Sequence, residues 1–149
     1  MSENQAERPR RPVIPADMKE FNRRLVEEFR ATGGKLSGQM AGRTLLLLTT
    51  TGASSGEPRT VVLGYGRDGD GYVVIASNNA APSHPTWYRN LLADPTATLE
   101  VGADRFEVRA RTAAPEERER LGAAVPWFQS QQELTTREIP LVVFDRVGG

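Results

Sequence analysis

The sequence predicts an α+β protein that is mostly antiparallel β-sheet, a barrel of about six strands with an N-terminal helix and short appended helices. Three observations support this prediction. Short apolar and β-branched runs recur along the chain, few helical segments separate them, and two adjacent runs alternate between apolar and polar residues. Strands that follow one another without long crossovers favour antiparallel pairing, and closing such a sheet removes its edges. We expect one domain over residues 16–149 of this 149-residue chain.

Residues 1–15 are expected to form a flexible tail. They contain Arg8, Arg10 and Arg11 among several prolines and polar side chains. Such a segment cannot bury enough apolar surface to fold alone. A solvated tail is the simpler interpretation, and a basic arm that contacts anionic lipid or the acidic end of a cofactor is the alternative.

The first predicted helix spans residues 17–31. Asp17 can cap it, and Glu20 stands three residues later, as in a capping box. Its apolar residues recur at helical spacing and form one stripe, comprising Met18, Phe21, Leu25 and Phe29. Gly33 and Gly34 end the helix, because glycine tolerates the left-handed conformation. The pattern favours a helix that packs on the core.

The rest of the chain is mostly strand. The predicted strands are 43–50, 60–65, 72–76, 96–101, 105–111 and 141–144. The fourth and fifth alternate cleanly, with Leu99 and Val101 on one apolar face and Phe106 and Val108 on the other strand's apolar face. We therefore expect these two strands to pair antiparallel, with one face buried.

Two short helices complete the predicted architecture. Pro85 opens one of them, and Asp94 followed by Pro95 stops it. Pro115 opens the other and places Glu116 and Glu117 in its first turn, where acidic side chains interact favourably with the helix dipole.

Composition excludes several function classes. The 19 basic and 19 acidic residues balance, which argues against a nucleic-acid partner. No cysteine is present and there is one histidine, so we expect neither a metal site nor a cysteine nucleophile. The apolar run 45–48 is too short to span a bilayer, and no secretory signal is recognisable. A cytoplasmic protein is the resulting expectation.

Two apparent motifs fail on their structural context. The segment 64–69 fits the dinucleotide pattern G-x-G-x-x-G by letter, but a strand rather than a helix is predicted next. We interpret it as a hairpin. His84 lies directly before Pro85 without a nucleophile or carboxylate pattern around it, which favours a loop or helix-cap residue over a catalytic base.

Two segments can receive an anion. The turn 51–59 offers backbone N–H groups, hydroxyls and the Arg59 guanidinium, which can bind a phosphate through two hydrogen bonds. The N-terminus of the helix opened by Pro85 offers free N–H groups and a positive dipole end. A polar hairpin loop and a packing helix are the simpler interpretations of the same two segments. Small residues at 77–83 leave room for a planar ring.

A set of short motifs resembles a known family. These motifs are the runs 47–52 and 55–59, Ser77, and the runs 85–91 and 136–140. Together they resemble the deazaflavin-dependent nitroreductase family, small actinobacterial proteins that use coenzyme F-420, over roughly residues 21–147. The resemblance implies a six-stranded split β-barrel, similar to the FMN-binding split barrels.

The resemblance also implies cofactor-contacting positions. These are Ala53, Ser54, Ser55, Arg59, Thr60, Val61, Val62, Leu63, Gly64, Ile75, Ala76, Ser77, Asn78, Thr86, Trp87, Tyr88, Arg89, Asn90 and Phe128. The phosphate and acidic tail of the cofactor would lie near the turn and Arg59, and its ring near Ser77. Ser77 is the one candidate catalytic residue, which would orient the cofactor or the acceptor.

The chain departs from the family pattern at several of these positions. Ala53 and Ser54 replace turn cations, and Asn78 stands where a lysine can occur. Phe128 and Gln131 stand where tyrosines commonly line the acceptor side, and Gly64 replaces another bulky aromatic residue. The resemblance therefore implies a weaker grip on an acidic cofactor tail and the loss of hydroxyls that protonate an acceptor.

The predicted function is hydride transfer from reduced coenzyme F-420 to an electron-poor small molecule such as a quinone, an enone or a nitroaromatic compound. Two alternatives stay open: a module that sequesters the deazaflavin or a lipid-like ligand without efficient turnover, and an FMN enzyme on the same barrel, with FMN the less favoured cofactor. A monomer and a homodimer are both compatible with the sequence, because a partner or the N-terminal helix can cover an open sheet edge. The arginine-rich tail leaves peripheral membrane contact open.

Overall fold

The computed structural model describes residues 18–38 and 42–147. Its helices are α1 (Met18–Thr32), α2 (Thr86–Ala93), α3 (Arg118–Ala123) and α4 (Phe128–Gln132), with a 3-10 turn at Pro115–Glu117. Its strands are β1 (Leu45–Thr51), β2 (Pro58–Gly64), β3 (Gly66–Asp68), β4 (Gly71–Ile75), β5 (Thr96–Val101), β6 (Asp104–Thr112) and β7 (Leu141–Arg146). The predicted tail and the predicted cap at Asp17 lie outside the described residues.

One antiparallel sheet contains all seven strands, in the order β2-β1-β5-β6-β7-β4-β3. Strands β2 and β3 form its two opposite edges, yet only Tyr65 separates them along the chain. Because one extended residue spans at most about 3.6 Å, the sheet must curl until its two edges meet at Tyr65. The result is a curled half-barrel, which confirms the predicted fold class.

The strand count is seven rather than the predicted six. The additional strand is β3, in a segment that the sequence predicted only as hairpin turn. It pairs with β4 in the register Arg67↔Tyr72, and the Arg67 guanidinium lies 4.1 Å from the centre of the Tyr72 ring. This cross-strand cation–π contact extends the pairing, so that the turn itself is reduced to Gly69 and Asp70.

The predicted β5–β6 hairpin is confirmed, with the register Thr96↔Arg109 at one end and Val101↔Asp104 at the other. β6 is longer than predicted because it also pairs with β7 over Val108–Thr112. β1 pairs with both β2 and β5 and lies inside the sheet, which explains why Leu46, Leu47 and Leu48 are fully buried.

The two faces of the sheet build separate cores. Tyr72 and Val74 of β4 and the following Ala76 face the barrel interior with α2, whereas Val73 and Ile75 pack with α3 on the opposite face. A third cluster places Phe29 of α1 against Leu47. The period-two alternation of the strands therefore places α2 on the interior face of the sheet and α1 and α3 on the opposite face.

Helix α1 lies against edge strand β2. The Asn22 side chain donates from Nδ2 to the carbonyl oxygen of Thr60 at 2.8 Å. At the other end of α1, Arg30 binds both carboxylate oxygens of Glu100 on β5, at 3.0 and 2.8 Å. The sequence left open whether a partner or the N-terminal helix covers an open sheet edge. In the structure the N-terminal helix contacts the β2 edge at Thr60.

Helix α4 was not predicted. The segment FQSQQ has no apolar periodicity, so nothing in its sequence distinguishes it from a loop. Its last residue explains its position, because the Gln132 amide donates to Arg137 O at 2.8 Å and accepts from Ile139 N at 2.9 Å. The helix is therefore anchored to the chain that enters β7.

Glu117 provides the acidic first turn that the sequence predicted, and it gives a testable pH dependence. Hydrogen bonds from the Arg111 guanidinium and the Ala114 N–H lower the pKa of its carboxyl to about 2 from an ordinary 4.5. Because the folded-state pKa is depressed, this stabilisation is complete above about pH 4.5 and is lost as the pH falls through about 2. We expect Glu117→Gln to be less stable than wild type at neutral pH, and the two urea midpoints to converge across this window. A constant difference between the midpoints would contradict the assignment.

Candidate functional site

The predicted turn and the predicted helix N-terminus meet through Asn90. Its side-chain oxygen accepts a hydrogen bond from Ala53 N at 3.0 Å, and its Nδ2 donates to Thr50 Oγ1 at 3.0 Å. Asn90 is 3% exposed and Thr50 is 2% exposed, so these bonds are shielded from water. Asn90 therefore fixes the 52–58 turn to α2, and its buried amide is occupied by the chain itself.

Backbone donors remain available on both sides of this junction. In the turn, the N–H groups of Gly52, Ala53, Gly56 and Glu57 bind other atoms of the described chain. The exposed Ser54 and Ser55 keep their N–H groups free of partners within residues 18–38 and 42–147. In α2, the first internal bond comes from Tyr88 N, which leaves the N–H groups of Thr86 and Trp87 at the open helix end.

Two exposed arginines accompany these donors. Arg59 makes only a 3.8 Å contact with Glu57 and a 3.4 Å bond to the neighbouring Pro58 carbonyl. Arg89 is exposed on α2, and its side chain makes no ion pair or hydrogen bond in the described part of the chain. Free N–H groups and loosely held guanidinium groups are the donor set that a phosphate requires.

Strand β2 carries the predicted positions Arg59, Thr60, Val61, Val62, Leu63 and Gly64 as a half-exposed edge. Tyr65 N donates to Thr44 O, so alternate residues of β2 direct their peptide groups toward β1. The peptide groups of Val62 and Gly64 consequently point away from β1. The carbonyl group of Thr60 points the same way and accepts the hydrogen bond from Asn22. This edge can pair with a planar ring that carries alternating N–H and C=O groups.

Ser77 begins a strained turn. Asn78, Asn79 and Ala80 follow it with φ angles of 51°, 55° and 61°, all in the left-handed region. For non-glycine residues this conformation costs about 1–2 kcal/mol each, so the surrounding structure must hold it. Successive hydrogen bonds from Ala80 N to Ser77 O and from Ala81 N to Asn78 O close the turn. Ser77 and Asn78 are thereby presented at the end of β4.

Arg137 holds this turn in place. Its guanidinium donates to Ser77 O at 2.8 Å, to Ala81 O at 3.1 Å and, more weakly, to Ala76 O at 3.4 Å. The same group donates to His84 Nδ1 at 2.8 Å. Burial and then the neighbouring positive charges of Arg137 and Arg89 lower the pKa of His84, which favours the neutral imidazole. The structure places His84 in a loop, as predicted, with its accepting nitrogen engaged by Arg137.

Several predicted site residues are buried by the protein itself. Trp87 and Tyr88 are 7% and 6% exposed in the barrel core, and the Tyr88 hydroxyl lies 2.7 Å from Thr112 Oγ1. Ile75 and Ala76 are also buried, so their side chains belong to the cores. At these four positions a ligand can contact backbone groups or the small exposed part of a side chain, but not a whole side chain.

Phe128 packs against the core cluster that contains Ile75, another predicted position. Its ring packs with the core on the far face of β4 and lies 5.4 Å from the Arg118 guanidinium carbon. The neighbouring Trp127 instead lies over Gly64, where an added Cβ would be 3.2 Å from the indole Cζ2. Sequence reasoning missed Trp127 and Arg137. Arg137 stood in a quoted motif, whereas a single exposed tryptophan gave no positional signal.

A pocket of about 480 Å³ adjoins the Ser77 turn and is lined by Ala80, Pro82 and residues 133–137. Two buried amide oxygens nearby in sequence, Asn79 Oδ1 and Gln131 Oε1, have no hydrogen-bond partner among the described residues. Both are acceptors, which suit a ligand N–H or O–H group. No cluster of metal-binding side chains occurs in the part of the chain that the structure describes. Nor is any described helix long and apolar enough to cross a membrane.

The curled half-barrel has the architecture of a split-barrel protein, in which a turn and a helix end with free backbone N–H groups lie near a half-exposed strand edge. Residues 21–146 match the family model described as F420-H2-dependent quinone reductase, and the chain belongs to this family. This confirms the resemblance to deazaflavin-dependent enzymes that the motifs predicted.

Relatives support the assignment in sequence and in structure. An F420-H2-dependent quinone reductase of Mycobacterium tuberculosis is 39% identical over 126 residues, covering 79% of this chain and 85% of the relative. A second quinone reductase of the same organism, named as putative, is 36% identical over 66% of this chain and 86% of its own length. The solved F420-H2-dependent reductase FDR-A is 35% identical, with a TM-score of 0.62 over 69% of this chain and 95% of that structure.

Proposed function

We propose that this protein catalyses the reduction of quinones by reduced coenzyme F-420. Family membership supports the cofactor and the reaction. The observation in the structure that supports it best is the junction at Asn90, which joins a turn with free N–H groups to an open helix end beside two exposed arginines. An FMN enzyme is not favoured, because the named relatives are F420-H2-dependent.

The phosphate and acidic tail would bind at this junction. The N–H groups of Ser54 and Ser55 and those of Thr86 and Trp87 supply neutral donors, while Arg59 and Arg89 supply charge. Asn90 contributes by position, since it holds the two halves together rather than contacting the ligand through its amide. The donor set fits the group even though Ala53 and Ser54 replace the cations that the family pattern places in the turn.

The ring would lie along β2 and reach the Ser77 turn. The peptide groups of Val62 and Gly64, which point away from β1, can pair with its polar edge. When bound in reduced form, the deazaflavin supplies a hydride. The residues of the chain supply position, partial exclusion of water and hydrogen bonds.

The quinone would lie beside the Ser77 turn. A quinone that accepts a hydride on carbon develops negative charge on oxygen, and a positioned donor stabilises that charge. The Ser77 hydroxyl has no recorded partner among the described residues, and its turn is fixed by Arg137. We assign Ser77 to orient the quinone, with the proton delivered from water because Phe128 and Gln131 carry no acidic hydroxyl.

The oligomeric state is a separate part of this proposal. A 30% identical solved structure, with a TM-score of 0.65, is a domain-swapped dimer, which supports a homodimer as one state of this chain. Contact of residues 1–15 with a membrane and a cytoplasmic location stay predictions from the sequence.

The direct test is a fluorescence titration with oxidised coenzyme F-420, with FMN in parallel, followed by quinone-dependent oxidation of the reduced cofactor. We expect tight binding of the deazaflavin alone and oxidation that requires both protein and quinone. Tight binding without turnover would favour the sequestering module. Preference for FMN would overturn the cofactor assignment.

We expect Arg59→Ala and Arg89→Ala each to weaken F-420 binding about tenfold, as loss of a charge-assisted phosphate contact predicts. The loss should be larger at low ionic strength, because salt screens exposed charges. Neither change should move the urea midpoint appreciably. Arg24→Ala is the matched control, since the side chain of that arginine is 72% exposed on α1, outside the turn and the helix that form the junction. Equal affinity in all three variants would contradict the phosphate assignment.

A further inference from the structure

Position 64, at the end of β2, is glycine, so the strand presents no side chain there. The space is nevertheless filled, because the indole of Trp127 lies over Gly64. A Cβ built on Gly64 would lie 3.2, 3.6 and 3.7 Å from the indole Cζ2, Cη2 and Cε2 atoms. An aromatic surface therefore lies beside the end of β2, and Trp127, the residue that precedes α4, supplies it.

The backbone of Trp127 is fixed by hydrogen bonds, whereas its side chain is partly exposed. Its carbonyl oxygen accepts hydrogen bonds from Ser130 Oγ at 3.0 Å and from Gln131 N at 3.3 Å. The side of the ring toward Gly64 is packed, while the residue stays 37% exposed, one of the few large apolar residues so exposed in the described ranges. The indole N–H has no recorded hydrogen-bond partner within those ranges. The residue thus offers a flat, electron-rich face together with one free donor.

Resting on the proposed function, we propose that Trp127 is the specificity-determining residue for the acceptor, and that it selects fused-ring quinones by stacking. Indole has two fused rings and is electron-rich, whereas a quinone is an electron-poor π system, so an offset stack is favourable. A two-ring quinone covers both rings of the indole, but a single-ring quinone covers about half of that area. Discrimination should therefore follow the number of fused rings.

The first test measures binding without turnover. A naphthoquinone should quench the tryptophan fluorescence of the oxidised F-420 complex and of the free protein, and Trp127→Phe should lose most of that quenching, leaving only buried Trp87. The absence of cysteine helps this experiment, because quinones do not alkylate a thiol in this chain. Quenching that persists fully in Trp127→Phe would overturn the stacking role.

The second test measures steady-state kinetics with a naphthoquinone and with para-benzoquinone. Trp127→Ala should raise the KM for the naphthoquinone about tenfold, leave its kcat within twofold, and change the KM for the single-ring quinone less than threefold. Trp127→Phe should fall between. Leu92→Ala removes another exposed apolar side chain, 64% exposed on α2, and should change neither KM.

The outcomes separate this inference from the proposed function. If the wild type binds and oxidises reduced F-420 but Trp127→Ala raises both KM values equally or neither, only the role of Trp127 is overturned. If the wild type does not bind F-420, the proposed function fails, while the quenching experiment still decides whether Trp127 stacks on a quinone. In Trp127→Ala, F-420 affinity should remain within twofold of wild type.

Discussion

Gly66→Ala is expected to destabilise the fold by at least about 3 kcal/mol, because the added methyl group overlaps backbone that cannot yield. A Cβ on Gly66 would lie 1.9 Å from the carbonyl oxygen of Ala124 and 2.7 Å from its carbonyl carbon. Relief would require α3 to move away from the point where the two sheet edges meet. Urea unfolding followed by circular dichroism measures the loss, and the variant is expected to populate unfolded chain at 37 °C or fail to accumulate.

Gly64→Ala is the matched control for this prediction. It lies two residues away, at the end of β2, and its nearest neighbour is the partly exposed Trp127 side chain at 3.2 Å rather than backbone. A side chain can rotate by the few tenths of an ångström required, so we expect a cost of about 1 kcal/mol or less. Equal destabilisation in the two variants would show that the close approach of Ala124 is not what requires glycine at position 66.

Replacing Arg137 is the second change with a large expected effect. Arg137→Ala removes the donor that binds the carbonyl oxygens of Ala76, Ser77 and Ala81, and leaves His84 Nδ1 without its partner. The variant loses several charge-assisted hydrogen bonds worth about 1.5–3 kcal/mol each, and relaxation of the strained turn offsets part of this, so we expect a net loss of about 3–5 kcal/mol. Quinone reduction should disappear even where the variant stays folded, because Ser77 no longer keeps its position.

Arg137→Lys tests the same idea with the charge retained. A single ammonium cannot reach three carbonyl oxygens and an imidazole at once, so kcat should fall at least tenfold although the protein folds. Arg118→Lys is the control, since Arg118 is a partly buried arginine that donates to one carbonyl oxygen, Ile139 O, at 3.0 Å. Activity that survives in Arg137→Lys at the level of Arg118→Lys would remove Arg137 from its positioning role.

The elements predicted best from the sequence are those with one apolar face and one polar face. The β5–β6 hairpin was predicted closely in both position and pairing, because Leu99 and Phe106 alternate with charged neighbours and only one register buries them. Strand β3 was missed because three residues give no period, and its pairing depends on a contact between Arg67 and Tyr72 across the turn. Helix α4 was missed because its anchor, Gln132, acts through residues 137 and 139.

The candidate site shows the same division. The turn, strand and helix segments were predicted, since each carries a local signal in glycine, proline or hydroxyl residues. What joins them is not local: Asn90 reaches Thr50 and Ala53, and Arg137 reaches the Ser77 turn from far along the chain. A polar residue at a buried helix position looks the same in sequence whether it faces a ligand or another segment. Only the fold shows that Asn90 faces the chain.

The position of β7 in the sheet has a consequence for how the chain acquires its fold. β7 is the last strand in chain order, yet it pairs with β6 on one side and β4 on the other. Until β7 pairs, no backbone hydrogen bonds join the β2-β1-β5-β6 sheet to the β3–β4 hairpin. Pairing partners such as Val74 and Val142 are far apart in sequence, so their contact closes a long loop. Folding is therefore expected on the order of milliseconds to seconds rather than faster. During that interval the unpaired edge of β4 can accept β7 from a second copy, so the choice between intramolecular pairing and strand exchange is kinetic and depends on protein concentration.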